Sequence, residues 1–343
     1  MRALMVTAPW GIDNLKVVEL PDPTPGAGEV LVRMKAVSLN YRDLLMIKGI
    51  YGGRAPTAPE DKIIPFSDGC GVVEAVGPGV TRVKAGDRVA TLFFQDWISG
   101  RATPEKAATT LGFPIPGAGR ELAAFSQEGV SKVPDFLTDQ EVSTLPCAAL
   151  TAWRALFVDG ELEPGDTVVL QGTGGVSVFG LQFAKAAGLR TVITSSSDEK
   201  LERAKAMGAD HLVNYRTTPD WSKPAREASG GAGVDFVMEV GGPGTIQQSM
   251  KAVRLGGHIA IIGLVAQADP ALGAFNTTSL IGNAARLQGV SVGSREMFEP
   301  MCKAIDLHRI HPVVDKVFPW TDAPAAFAAM EAGEHFGKIV LQF

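Results

Sequence analysis

The run Gln171-Gly172-Thr173-Gly174-Gly175-Val176-Ser177 could cradle a phosphate. Its first glycine permits a tight turn, and its second lets the backbone approach a pyrophosphate. A helix opening there offers unpaired N–H groups and the positive end of its dipole. The third glycine position holds Ser177, which predicts a helix set slightly further from its sheet. A plain structural turn has the same composition. The place of the run favours the dinucleotide reading, because it follows one apolar run and opens a helical stretch. NAD binders carry an acid about twenty residues further on, for the ribose 2′-OH. Here that region reads Ile193-Thr194-Ser195-Ser196-Ser197-Asp198-Glu199-Lys200, with Arg203 beyond. Hydroxyls at Ser195 and Ser196 with a cation at Lys200 suit a 2′-phosphate. Asp198 and Glu199 fall late for the 2′-OH role. The same residues also read as a helix N-cap with a solvated face, and both readings can hold. The expected cofactor is NADPH.

Six short β-branched runs would position these groups: Thr167–Leu170, Thr191–Thr194, His211–Val213, Val234–Val240, His258–Ile262 and Leu287–Val292. Helical stretches lie between them, two of them closed by Gly188 and Gly208. That alternation predicts a doubly wound parallel sheet, an α/β Rossmann architecture. The earlier part of the chain reads as β-rich, with strands at Val30–Met34 and Gly71–Val76 separated by Pro/Gly turns. After Val292 the pattern predicts a short helix and a final strand, Lys338–Gln342, returning to the first domain.

At 343 residues the chain is long enough for two cores. Its net charge of −5, without a basic block, gives no footprint for nucleic acid. The longest aliphatic run, Ile259–Ala266, is short of the ~18 residues of a membrane span, so no membrane partner is expected. Met1–Trp10 reads as a strand, not a signal peptide. Cys70, Cys147 and Cys302 are scattered and odd in number, which implies no disulfide framework and a reducing, cytoplasmic setting.

Several further segments carry a family resemblance: Gly28-Glu29-Val30-Leu31-Val32, Gly71-Val72-Val73-Glu74-Ala75-Val76-Gly77, Ala85-Gly86-Asp87-Arg88-Val89, Leu150-Thr151-Ala152-Trp153, the glycine loop and Gly208-Ala209-Asp210. Together they resemble the medium-chain dehydrogenase/reductase superfamily over essentially the whole chain. The resemblance implies a GroES-like β-barrel catalytic domain from 1–148 and 293–343, with a Rossmann NADP(H)-binding domain inserted at 149–292. Zinc alcohol dehydrogenases of this superfamily hold their metal with Cys-x-x-Asp, a His-Glu pair and a later Cys. This sequence has Asn40-Tyr41-Arg42-Asp43 and Ser67-Asp68 at the first two places, and only Cys147 survives. Zinc needs about three ligands of Cys, His or carboxylate type, so no metal is expected. No cysteine lies between Cys70 and Cys147 for a structural lobe. His308 and His311 read as a polar helix end.

The remaining features are similar to the zinc-free branch, the quinone oxidoreductases and enoyl reductases. By that resemblance Tyr51, in Gly49-Ile50-Tyr51, matches a proton donor or substrate anchor. Its alternative is an aromatic covering the cleft mouth. Asn40 would hydrogen-bond the substrate oxygen or the nicotinamide ribose, or else cap backbone. Lys200 and Tyr215 match positions around the 2′-phosphate, and Gly241, Gly242, Gly263 and Leu264 match the ribose and nicotinamide loops. Asn283, Gly293 and Ser294 would close the nicotinamide end. Substrate choice is expected near Trp97 and Phe275 to Ser279. The expected activity is hydride transfer from NADPH to a quinone or activated alkene. A metal-free reductase of simple carbonyls and an NADPH-binding structural or regulatory protein remain as alternatives. The expected partners are a small-molecule substrate and a second copy of the chain, paired through the sixth run.

Overall fold

The computed structural model describes residues 1–51, 62–263 and 277–343. The chain forms two compact units, Met1–Leu150 with Val292–Phe343, and Thr151–Ser291. Among the described residues no helix is long and apolar enough to cross a membrane.

The Thr151–Ser291 unit is built on six parallel strands. Across the sheet they run His211–Asn214, Arg190–Ser195, Thr167–Gln171, Val234–Glu239, Val253–Ile261 and Arg286–Gly289. This is the third-second-first-fourth-fifth-sixth order of a doubly wound Rossmann sheet. Its order reverses between Thr167–Gln171 and Val234–Glu239, which opens a crevice at their carboxyl ends. Thr167–Gln171 is buried throughout, as a strand covered on both faces must be. Val169, Val192, Val237 and Ile259 share one apolar cluster on this sheet. The sixth strand stops at Gly289, earlier than the apolar run suggests. Val292, at the end of that run, has φ 46°, a conformation no strand contains. The helices Gly175–Ala186 and Asp198–Ala206 end just before left-handed Gly188 and Gly208.

One strand residue carries a stability consequence. His258 is buried, and its ring stands edge-on to Phe236 with centroids 5.0 Å apart. Neither ring nitrogen has a hydrogen-bond partner among the described residues. Burial, and then the nearby Arg286 charge, push its pKa down to about 4. The unfolded chain therefore takes up a proton near pH 6.5 that the folded chain refuses until about pH 4. Stability is lost across that window as pH falls, by up to about 3 kcal/mol. His258→Phe is expected to raise stability by about 1–2 kcal/mol at pH 7 and by more at pH 4.5. Urea midpoints at the two pH values check this; equal increments at both would contradict it.

In the other unit, six strands form one path: Val314–Pro319, Lys338–Gln342, Glu29–Ser38, Asp68–Val76, Arg88–Thr91 and Val130–Lys132. Leu122–Ser126 pairs with Glu29–Ser38, and a smaller sheet joins Leu15–Glu19, Arg2–Thr7 and Lys62–Ile63. This is the GroES-like barrel. The C-terminal strand lies antiparallel to Glu29–Ser38, with Val340 opposite Ser38. Residues from both ends of the chain therefore share one core, including Leu4, Val32, Phe66, Phe327 and Leu341. Where the sequence predicts a short helix after Val292, there are two, Arg295–His308 and Ala323–Ala332, with a strand between them. Pro300 lies inside the first helix.

Candidate active site

The glycine loop has the local geometry that phosphate binding requires. Gly172 is left-handed at φ +75°, and a Cβ added at Gly172 or Gly174 would meet nothing within 4 Å. Side chains are thus absent where a ligand's charged oxygens would approach. Gly174 caps the twelve-residue helix that Gly175 and Val176 open. The Gly172 N–H donates to Thr194 Oγ1 at 3.3 Å, which ties the turn to the neighbouring strand. Thr173 is buried beneath it. Ser177 acts as a bridge: its buried hydroxyl donates to the Gln171 carbonyl at 2.5 Å and links helix to strand. The glycine that allows close approach is Gly180, where a Cβ would lie 3.0 Å from Leu170 and 3.1 Å from Met238.

Beside this turn is a cavity of about 730 Å³, lined by Gly172, Thr194, Tyr215, Gly241, Thr245 and Lys251 among others. A hydrogen-bond network fixes its wall. The fully buried Glu239 accepts from Gly242 N at 2.7 Å, from Gln171 Nε2 at 2.8 Å, and from the hydroxyls of Thr245 and Ser249. Gln171 Oε1 accepts from the N–H groups of Val240 at 3.1 Å and Gly241 at 3.0 Å. The same two side chains therefore hold both sides of the topological switch point.

Strand pairing brings the 195–200 segment to Tyr215, whose N–H donates to the Ser195 carbonyl at 3.0 Å. The Ser195 side chain is buried and accepts from Ser197 N at 3.3 Å, so it stabilises the turn. Ser196 and Lys200 are partly exposed, and the Ser197 hydroxyl caps the helix by accepting from Lys200 N at 3.3 Å. Gly263 is required by close packing, since a Cβ there would lie 2.2 Å from the Val240 carbonyl. Leu264 and Phe275 lie outside the described residues. Asn283 serves the fold, with its amide donating to the Met250 carbonyl at 2.7 Å.

In the barrel unit, Asn40 sits at the start of the helix Tyr41–Ile47. It is the N-cap of that helix and forms a capping box with Asp43, whose Oδ2 accepts from the Asn40 backbone N–H at 2.9 Å. The side-chain amide is held between two groups: Oδ1 accepts from Lys338 Nζ at 2.6 Å, and Nδ2 donates to Ser67 Oγ at 3.3 Å. Lys338 is 4% exposed, also donates to the Leu39 carbonyl at 2.6 Å, and lies 3.7 Å from Asp68 Oδ2. Asp68 is fully buried and accepts from Ser38 Oγ at 3.0 Å. Burial raises its pKa, against the lowering effects of Lys338, Asn40 and Ser38. The Cys147 thiol lies in the same field; burial and then Asp68 hold its pKa well above the usual thiol range.

The three ligand positions of the zinc enzymes thus converge here as Asn40, Ser67–Asp68 and Cys147. Asn40 offers an amide and Ser67 a hydroxyl, the Asp68 carboxylate lies 3.7 Å from the Lys338 ammonium, burial pushes the Cys147 thiol up, and that same ammonium stands against Asn40. This donor set does not fit a zinc ion. Among the described residues no group of three His, Cys, Asp or Glu side chains is placed to hold a metal.

Arg42 organises the mouth of this cluster. It pairs with Asp43 at 3.4 Å, donates to the carbonyls of Leu111 and Phe113, and stacks over the Tyr51 ring at 5.3 Å. Tyr51 is 42% exposed, so its ring is open to an incoming molecule. Burial raises Asp43 to about 6. Its ionisation therefore destabilises the fold as pH rises from about 4 to 6, opposite in sign to His258. Gly293 packs against Leu150, and Ser294 precedes the helix Arg295–His308 with its buried hydroxyl unpaired among the described residues. Trp97 is a buried residue packed on Phe94, its indole donating to the Gly100 carbonyl at 2.9 Å.

Sequence reasoning missed Lys338, Gln171, Glu239 and the stacking role of Arg42. The signal for Lys338 was a cation heading an otherwise apolar strand, Ile339-Val340-Leu341. For Glu239 it was an acid closing the apolar run Val234–Met238.

Comparison with known proteins gives two family matches. Residues 26–135 match the alcohol dehydrogenase GroES-like domain, and residues 175–306 match the zinc-binding dehydrogenase model. The second span contains none of Asn40, Ser67, Asp68 or Cys147. A zinc-type alcohol dehydrogenase-like protein of Schizosaccharomyces pombe is 42% identical over 339 residues, covering 97% of this chain and 96% of that protein. Among solved structures, an NAD-dependent alcohol dehydrogenase is 34% identical with a TM-score of 0.89, both chains covered fully. A mycobacterial quinone oxidoreductase is 28% identical with a TM-score of 0.80, again over all of both chains.

Proposed function

The chain belongs to the medium-chain dehydrogenase/reductase superfamily, and on that premise we propose that this oxidoreductase is zinc-independent and reduces conjugated acceptors with NADPH. The observation that carries the reading is the Lys338 ammonium among the ligand positions, 2.6 Å from Asn40 Oδ1. A buried cation there opposes a second one. A metal would polarise a simple carbonyl; without it, acceptors that delocalise incoming charge into an oxygen react more readily. Quinones and enones or enoyl groups have that property. Likeness to a quinone oxidoreductase supports the same class.

NADPH, when bound, supplies the hydride, and the protein's residues orient it. Gly172, Thr173, Gly174, Gly175 and Val176 would hold the pyrophosphate. Ser195, Ser196, Lys200 and Tyr215 would surround the 2′-phosphate, with Ser195 shaping the turn and the others making contact. Gly241, Gly263, Gly293 and Ser294 would border the ribose and nicotinamide. The Asn40 amide, its N–H bonds engaged by Ser67 and Asp68, would shape the site instead of donating to the acceptor oxygen. Tyr51 would deliver the proton. Homodimers would form through the sheet-edge strand Arg286–Gly289, which light scattering checks.

The deciding experiment is NADPH oxidation by the purified chain against quinones, enones, enoyl thioesters and aldehydes, with and without a chelator. Turnover of quinones or enones, unaffected by the chelator, is expected. Stoichiometric zinc with chelator-sensitive aldehyde turnover would overturn it in favour of a zinc-dependent alcohol dehydrogenase. Tight NADPH binding with no turnover would point to a structural or regulatory protein. Tyr51→Phe is expected to lower enone turnover by about 100-fold. Unchanged enone turnover would leave Tyr51 only shaping the cleft.

A further inference from the structure

Asn214 closes the strand His211–Asn214 and pairs with Ser195, the last residue of Arg190–Ser195. The two parallel strands therefore end together, and Ser196 and Tyr215 follow from neighbouring strand ends. The Asn214 amide has a fixed orientation. One of its atoms lies 3.0 Å from the Arg216 N–H, which can only donate, so that atom is the oxygen Oδ1. This Asx turn sends the NH2 group the other way. There Nδ2 donates to Asp198 Oδ1 at 2.7 Å. Asp198 is exposed and makes no other hydrogen bond or ion pair among the described residues. It stands between Ser196 and Lys200 in the sequence, in the segment that follows the second strand of the sheet. A carboxylate turned toward the ribose there would accept from a 2′-OH and repel a 2′-phosphate. In this chain the carboxylate is tied instead to the end of the neighbouring strand.

We infer that Asn214 is a specificity-determining residue for the cofactor: its amide clasps the Asp198 carboxylate against the end of its own strand and keeps that acid away from the 2′-phosphate. This rests on the proposed use of NADPH. Asn214 touches no reacting atom, and no bond forms or breaks at it. Without the amide, the exposed Asp198 side chain is free to rotate toward the ribose.

Binding is measured by calorimetry on the whole chain with two probes that differ only at the 2′ position, adenosine 2′,5′-bisphosphate and adenosine 5′-monophosphate. Asn214→Ala is expected to raise the Kd of the bisphosphate about 10-fold and that of the monophosphate less than about twofold, because the freed acid acts on the added phosphate. Asn214→Ser keeps an acceptor for the Arg216 N–H but is too short to reach Asp198, so it separates the turn from the clasp and is expected to behave as Asn214→Ala does. Adding Asp198→Asn to Asn214→Ala is expected to bring the bisphosphate Kd back to within about twofold of the parent, since the repelling charge is gone. Thermal unfolding establishes that each variant is folded. If both probes weaken together in Asn214→Ala and Asp198→Asn does not restore them, Asn214 only holds its turn and the inference is overturned. A bisphosphate Kd that stays at the parent's value in Asn214→Ser overturns it as well. A parent chain that binds the monophosphate as tightly as the bisphosphate overturns the NADPH reading itself. A parent that prefers the bisphosphate, with that preference intact in both Asn214 variants, overturns only the role of Asn214.

Discussion

Replacing Glu239 with alanine is expected to lower the unfolding free energy by roughly 3–5 kcal/mol and to weaken NADPH binding by more than about tenfold. The four groups around its two carboxyl oxygens are all donors: Gly242 N, Gln171 Nε2, and the hydroxyls of Thr245 and Ser249. The site is fully buried, so each donor released by the truncation would lack water as a substitute. Gln171 would be freed as well, and with it the acceptor that holds Val240 N and Gly241 N. The cavity wall at Gly241 and Thr245 would lose its shape. Glu239→Gln keeps the volume but turns an NH2 group toward donors, so an intermediate loss of about 1–3 kcal/mol is expected. Urea unfolding and fluorescence titration with NADPH read the two effects. An alanine variant within about 1 kcal/mol of the parent would show that the network is not holding the turn.

Ser196→Asp combined with Lys200→Ala is expected to raise the KM for NADPH by about 10- to 100-fold, while the KM for NADH moves by less than about threefold. The 2′-phosphate carries about −1.5 to −2 charges, and one charge-assisted hydrogen bond to it contributes about 1.5–3 kcal/mol. An aspartate at 196 adds like-charge repulsion to the loss of a cation. NADH presents a neutral hydroxyl at that place, which an aspartate can accept from. Both residues are partly exposed, so the exchange leaves the core intact. Steady-state kinetics with both cofactors provide the test. Equal losses with NADPH and NADH would contradict the 2′-phosphate assignment.

Much of this protein is written in short stretches of sequence. The glycine turn, the Ser197 cap and the strand Thr167–Gln171 each follow from residues adjacent in the chain. Backbone sterics, capping and burial on both sheet faces act over that range, so their signals survive in the sequence. The replaced zinc ligands were legible for the same reason, since a residue type is a local fact. What those residues do instead was not legible. Asn40 caps the helix Tyr41–Ile47, as its type alone allows; only the fold also gives it Lys338 on one side and Ser67 on the other. Likewise Ser177 looked like a spacer until the Gln171 carbonyl was found 2.5 Å away. Gln171 and Glu239 are 68 residues apart and meet through parallel pairing of their strands. The Lys338 contact exists because the last strand pairs beside Glu29–Ser38. Strand partnership is settled by the whole core at once, since each strand's apolar face accepts many neighbours and only global packing selects one. Composition and spacing determined the doubly wound sheet with its glycine turn, and put Asn40 and Ser67 rather than Cys and His at two places in the chain. The tertiary structure decided which charge stands in that place and which way the Asn40 amide faces.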